Sequence, residues 1–376
     1  MKSPIFLLLS LPLVFLPGAA HSEESDLLFQ GARYPIEIAV SPETPVGAVI
    51  YETPLAEVRS GDYDTVLIEG LMPDPGVMLQ VQLQNGAASK TYDKPVLHRF
   101  PNGRFWAKYK VAAFTREPLK ITVLNAGVSQ KHTLSLYNAE VFSAAAEREN
   151  QSAGLPADHQ PGPELALPKS LPFPITRRAA WKAAPPKKSY TEHTPALFTL
   201  HHTAAHSPAD RAAAVEEMQF IQDYHQNGKG WIDIAYHFLI SPQGDIFEGR
   251  PIGVVGAHVA NRNANNVGIS IMGNYHPPAD QRPTQKVLNA IATIGRYLKT
   301  TYKIDKSNFF AHREIGSTDC PGDNLYAKMP GLKTQIFRSA VLEPAVAVRA
   351  DASFDGTPAG EFPALNQLIG CLADSL

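Results

Sequence analysis

Residues 144–172, AAAERENQSAGLPADHQPGPELALPKSLP, combine Pro, Gly, Ala and charge and carry neither a two-residue nor a 3.6-residue apolar repeat. Such a stretch reads as a linker. It interrupts a chain of 376 residues, long for a single hydrophobic core, and the patterns on its two sides differ. The chain is therefore expected to be multidomain, with a β-rich accessory domain over 26–143, a mixed α/β domain over 173–340 and a C-terminal tail over 341–376.

Before the linker the period is two. VMLQVQLQNG sets Val77, Leu79, Val81 and Leu83 against Met78, Gln80 and Gln82, and ends at an Asn85-Gly86 turn signal. RFWAKYKV alternates likewise, with Phe105, Ala107, Tyr109 and Val111 opposite Trp106, Lys108 and Lys110. DTVLIEG, LKITVLNA and HTLSLYNAEV add further runs of the same kind, and about six or seven strands of this type suggest an all-β, sandwich-like fold. The Trp106, Lys108 and Lys110 face reads either as a solvated outer face, the commoner case, or as a sugar-binding surface.

After the linker the pattern mixes periods. ALFTL is a continuous apolar run that fits a buried strand and delivers His201 and His202 at its end. Ser207, Pro208 and Asp210 make a helix start, Val215, Met218, Ile221 and Tyr224 follow at helical spacing, and Asn227-Gly228 reads as the stop. IAYHFLI and DIFEGR flank Gln243-Gly244 as a hairpin, and VGISIMGNY is a further strand. Val287, Leu288, Ile291, Ile294 and Leu298 mark a second helix, and KSNFFAH brings in His312 on a strand. That order implies a mixed central sheet flanked by helices.

The chain starts MKSPIFLLLSLPLVFLPGAAHSEE, with Lys2, an apolar run from Ile5 to Leu16 and small residues at Gly18, Ala19 and Ala20. This is the pattern of a cleaved secretory signal over residues 1–22. The run is too short to span a bilayer and is broken by Pro12 and Pro17. An exported protein, periplasmic or extracellular, with no stable membrane insertion is expected. A formal net charge of -2 shows no nucleic-acid footprint, and no nucleic-acid partner is expected.

Export bears on the two cysteines, Cys320 and Cys371. In an oxidising compartment they would ordinarily pair. FFAHREIGSTDCPGD, however, puts His312 close before Cys320, and a thiolate with neutral imidazoles is a natural zinc set. His201, His312 and Cys320 supply three ligands, which leaves a fourth position for water, as catalytic sites do. Zinc in such a site polarises an amide carbonyl and lowers the pKa of bound water. From spacing alone a disulfide, a buried inert thiol and a metal ligand all stay open.

LFTLHHTA, GWIDIAYHFLI, GDIFEGR, VGAHVANRNANNVGISIMGN and AHREIGSTDCPGD, taken together and in this order, resemble the peptidoglycan recognition protein and type-2 N-acetylmuramoyl-L-alanine amidase family. TRRAAWKAAPP resembles that family's entry segment, and the resemblance runs from about Ile175 to about Leu332. It implies zinc ligands at His201, His312 and Cys320, and a catalytic tyrosine at Tyr236 that hydrogen-bonds the hydrolytic water or the developing oxyanion. Where the phage branch has a lysine two residues before the cysteine, this chain has Thr318, as the active recognition-protein branch does. Stabilisation is then expected from zinc, Tyr236 and the Thr318 hydroxyl. The resemblance places substrate contacts at His202, Thr203, His225, His258 and Asn263. It also places Gly230, Trp231 and Arg250 where meso-diaminopimelate peptides are distinguished, an arginine fork suiting the extra carboxylate. Glu248 is a further carboxylate in the hairpin, read as solvated. The implied activity is zinc-dependent hydrolysis of the lactyl–L-alanine amide of peptidoglycan or muropeptide. The alternatives are a non-catalytic peptidoglycan-binding receptor on the same fold and a disulfide-linked adhesion module.

Overall fold

The computed structural model describes residues 27–29, 32–58, 62–145 and 166–338. The leader-like run, most of the expected linker, the tail and Cys371 lie outside the described residues.

Alternation in the first half becomes eleven strands. They are β1 (Leu27–Phe29), β2 (Ile36–Val40), β3 (Val49–Glu52), β4 (Ala56–Val58), β5 (Tyr63–Leu71) and β6 (Val77–Asn85). After these come β7 (Ala88–Tyr92), β8 (Val96–Arg99), β9 (Arg104–Thr115), β10 (Leu119–Asn125) and β11 (His132–Phe142). A four-stranded sheet in the order β3-β10-β6-β7 faces a five-stranded sheet in the order β2-β11-β5-β9-β8, and β1 pairs with β4. All pairings here are antiparallel. On β6 the expected set Val77, Leu79, Val81 and Leu83 is buried and the residues between are half-buried. These side chains pack against Val66, Ile68, Phe105, Ala107 and Tyr109 of the other sheet, as the inner faces of two stacked sheets do.

The second half contains a five-stranded mixed sheet. Strands β12 (Leu197–His202), β13 (Phe238–Ile240), β14 (Ile246–Glu248), β15 (Asn266–Ile271) and β16 (Phe309–Ala311) lie in the order β14-β13-β15-β12-β16. β12 runs parallel to β15 and β16, and β13 and β14 form the expected antiparallel hairpin. Helices α2 (Gln285–Tyr302) and α4 (Met329–Phe337) cover one face through Ile291, Leu298, Leu332 and Ile336 over Phe198, Leu200, Ile269 and Phe309. Between β16 and α4 lies the short helix α3 (Asp323–Tyr326). Helix α1 (Arg211–Asp223) lies on the other side, with Met218 and Phe220 clustered with Leu239, Phe247 and Trp181. Among the described residues no helix is long and apolar enough to cross a membrane.

Both ends of α1 differ from the sequence reading. Asp210, not Ser207, caps it by accepting from the Ala213 N–H at 2.9 Å. Nor do Asn227 and Gly228 stop the helix. The chain widens into a π-helical turn over Tyr224–Lys229 and ends at Gly230, whose φ of 85° is a left-handed conformation that glycine adopts without strain.

The face of β9 that carries Trp106 and Lys108 is also different from expectation: α1 covers it. Leu67, Trp106 and Phe142 form one apolar cluster with Met218, Phe220 and Tyr224. Beside it Arg104, 1% exposed, holds Glu217 of α1 and Glu69 of β5, at 3.0 Å each. The described residues up to Arg338 accordingly belong to one compact unit, and β5 is buried along nearly its whole length because it has a core on each side.

Candidate metal centre

The pleat of β12 separates its two terminal histidines. Leu200 and its alternate His202 point toward α2, and His201 points to the opposite side with Thr199. β16 lies beside β12 and ends one residue before His312, which opens a short 3-10 turn at His312–Glu314. The following loop is drawn back by a hydrogen bond from the Arg313 N–H to the Cys320 carbonyl at 2.9 Å, which returns Cys320 to the strand ends. One potential ligand atom each from His201, His312 and Cys320 falls within 4.8 Å of the others, and all three side chains are buried. Among the described residues this is the one such group of three or more His, Cys, Asp or Glu side chains.

The chemistry of this set suits a metal ion. Burial, aided by the nearby His312 and His258, holds the His201 imidazole well below its usual pKa, and burial pushes His312 down to about 4. Both are therefore neutral at pH 7, the form that offers a lone pair to a metal. His201 turns Nδ1 toward Cys320 Sγ, 3.6 Å away, and its Nε2 meets His258 Nδ1 at 3.0 Å. His258 Nε2 in turn meets the Asn266 carbonyl at 3.1 Å. That carbonyl only accepts, so His258 carries its proton on Nε2, Nδ1 accepts, and His201 carries its proton on Nε2, which leaves the Nδ1 lone pair for a metal. The relay fixes the tautomer a ligand needs. Cys320 Sγ accepts from the His202 N–H at 3.4 Å and lies 3.9 Å from the His202 carbonyl.

Around this group the other expected residues fall into two sets. Tyr236 is half-buried, its ring 5.3 Å from that of His201 and 6.0 Å from that of His225. His225 stacks on Trp231 at 4.8 Å, and its Nδ1 accepts from the Ala235 N–H at 3.2 Å. Gly230 turns the chain between His225 and Trp231, Thr203 Oγ1 accepts from the Gly273 N–H, and Thr318 Oγ1 accepts from the Cys320 N–H at 3.1 Å.

The second set is turned inward. His258 is 1% exposed and stands behind His201. Asn263 Oδ1 accepts from the N–H groups of His258 and Val259 and so holds that turn. His202 is buried on the far face, its Nδ1 accepting from the Tyr275 N–H. Arg250 donates from Nε, Nη1 and Nη2 to the carbonyls of Ile234, Val255 and Asp233, and is 2% exposed. Glu248 is buried rather than solvated and lies 3.7 Å from Arg177. The carbonyl of Asn266, which completes the His201 relay, carried no side-chain signal in the sequence.

The sequence model described as N-acetylmuramoyl-L-alanine amidase matches residues 191–323, which include all three members of the cluster. Peptidoglycan-recognition protein SC2 of Drosophila melanogaster is 32% identical over 154 residues, 40% of this chain and 82% of that protein. Peptidoglycan recognition protein 1 of Mus musculus is 31% identical over 43% of this chain and 88% of its own length. The N-acetylmuramoyl-L-alanine amidase of Homo sapiens is 32% identical over 40% of this chain and 27% of its own length. The β strands before residue 143 fall outside the matched segment, and on the strength of the rest the chain belongs to the peptidoglycan recognition protein and N-acetylmuramoyl-L-alanine amidase family.

Proposed function

We propose that the protein is a zinc-dependent N-acetylmuramoyl-L-alanine amidase that hydrolyses the amide between the lactyl group of N-acetylmuramic acid and L-alanine. The observation that carries this reading is the His201, His312 and Cys320 cluster with Tyr236 beside it. His201 and His312 would hold zinc through neutral imidazoles and Cys320 through its thiolate. When bound, zinc supplies Lewis acidity that polarises a carbonyl and acidifies a water. The Tyr236 hydroxyl donates to the carbonyl oxygen as negative charge develops on it, and the Thr318 hydroxyl, its oxygen already accepting from Cys320, has its proton to donate nearby. His258 keeps His201 in register. Thr203, Gly230 and Trp231 orient the muramyl peptide at the accessible side, with the buried His225 stacked on Trp231, and Asn263 holds the turn that carries His258.

Arg250 braces the 233–236 loop that carries Tyr236, rather than offering an open fork, so a preference for meso-diaminopimelate would rest on Gly230 and Trp231. The domain organisation we propose is a cleaved leader over 1–22, the β domain over 26–143, a connecting segment over 144–172, the amidase domain over 173–340 and a tail over 341–376, in an exported protein. The test is bound zinc and release of stem peptide from purified sacculi, in the parent, Cys320→Ser and Tyr236→Phe. Cys320→Ser is expected to lose both, and Tyr236→Phe to keep zinc and lose cleavage. A parent that binds sacculi and releases no more peptide than either variant is a receptor, and the proposal falls.

A further inference from the structure

The π-helical turn Tyr224–Lys229 has two sides. One carries His225, with Trp231 just beyond the turn, toward Tyr236 and the metal cluster. The other meets the β sheet, while Lys187 and Pro185 bond to the turn at Gln226 and Asn227 from the segment before β12. Tyr224 Oη donates to one carboxylate oxygen of Glu140 on β11, and Lys229 Nζ donates to the other. The Glu140 and Lys229 side chains are only 7% and 11% exposed, so this is a desolvated ion pair. Lys108 of β9 donates from Nζ to the carbonyls of Asn227, at 2.5 Å, and Gly228, at 3.2 Å. These are carbonyls of the last helical turn, where a cation is favourably placed. Trp106 Nε1 donates to Asp223 at 2.7 Å, at the junction of α1 with the turn. Gly228 lies so close to Leu67 of β5 that a Cβ there would meet its methyl groups at 3.3 and 3.5 Å.

A π turn is a widened helix that persists only where its surroundings determine it, and such turns gather at functional sites. Here β5, β9 and β11 supply much of those surroundings, with Lys187 and Pro185 adding bonds from the other side. We propose that the outer face of the five-stranded sheet is a working part of the substrate site, with Glu140 and Lys108 as positioning residues that fix the π turn and, through it, the His225–Trp231 pair that receives the muramyl peptide. The β region thus does more than tether the amidase module. It sets substrate affinity and leaves the metal centre to β12, β16 and the Cys320 loop. This inference rests on the amidase reading above.

The test uses the zinc-loaded full chain and a diaminopimelate-containing muramyl tripeptide. KM and kcat for its cleavage, Kd by calorimetry and zinc content are measured for the parent, Glu140→Ala, Glu140→Gln and Lys108→Met. Leu79→Ala, in the inner core of the β region, serves as a control for general destabilisation. Glu140→Ala and Lys108→Met are expected to raise KM and Kd by about two- to thirty-fold, the range for coupling through packed neighbours. Zinc content and kcat stay at parent values, Glu140→Gln falls between, and Leu79→Ala leaves KM unchanged at a comparable loss of Tm. Unchanged KM and Kd in Glu140→Ala and Lys108→Met, or an equal rise in Leu79→Ala, overturns the inference while a cleaving parent keeps the amidase reading. A parent that binds without cleaving overturns the amidase reading alone, and Kd then decides this one. A parent that neither binds nor cleaves overturns both.

Discussion

The Arg104 cluster places two carboxylates, Glu69 and Glu217, around one guanidinium with almost no solvent. One positive charge does not offset two buried negative ones, and the imbalance falls on Glu69. Burial, with the charge of Glu217 adding to it and Arg104 opposing it, pushes the Glu69 carboxyl up from 4.5 to about 7. A raised carboxyl pKa means that the folded protein binds a proton the unfolded chain has released. Between pH 4.5 and 7 stability therefore falls as pH rises, and the contribution of Glu69 present below pH 4.5 is gone above pH 7. The difference of about 2.5 units corresponds to roughly 3 kcal/mol. Glu69→Gln keeps an acceptor for Arg104 Nη2 and removes the titration. In urea denaturation of the full chain, the stability of Glu69→Gln relative to the parent is expected to rise by about 3 kcal/mol from pH 4.5 to 8. Denaturation midpoints that stay parallel across that range would refute the reasoning, since a carboxylate with its ordinary pKa in the fold gives no slope.

Further outcomes are expected elsewhere. Arg104→Met leaves Glu217 buried with only His206 as a partner, at 3.1 Å, and should cost about 3–5 kcal/mol in the same measurement at pH 7. His258→Ala removes the acceptor that fixes the His201 tautomer and should weaken zinc about 10- to 100-fold in a chelator competition, with far-ultraviolet circular dichroism unchanged. Gly230→Ala meets no atom within 4 Å, so its cost is purely that of a left-handed backbone, about 1–2 kcal/mol of unfolding free energy, and Gly230→Asn should recover part of it.

What the sequence made legible divides by the range of the interaction responsible. The strands β6, β12 and β15, the β13–β14 hairpin and helix α2 were readable because their apolar spacing reflects one packed face each. The residue types at 201, 312 and 320 pointed to a metal set, but spacing left a disulfide open, because the three are joined only when β16 pairs beside β12. Whether His201 or His202 faces the cluster is likewise set by the pleat of β12 against its neighbours. The cap of α1 went to Asp210 instead of Ser207, a choice between two good capping residues that local chemistry leaves nearly degenerate. Asn227-Gly228 looked like a helix stop because those residues usually are one. Here the helix runs through them as a π turn, to which Glu140 and Lys108, far away in the chain, are bonded.

The Trp106 face shows why alternation alone misleads. In β9 the residues Phe105, Ala107 and Tyr109 mark the apolar core, and the opposite row of Arg104, Trp106 and Lys108 looks solvent-facing by polarity. Each polar group in that row has a partner: Arg104 on Glu217, Trp106 Nε1 on Asp223, Lys108 on the carbonyls of the π turn. Long side chains bury their stems while their tips find hydrogen bonds, so a second core can be built from residues that read as surface. The partners lie more than a hundred residues downstream, and no window of sequence contains both halves. A two-residue period therefore identifies which face of a strand forms the apolar core and leaves undetermined what covers the other. In this chain that undetermined face is where the β region and the α/β fold of the matched family meet.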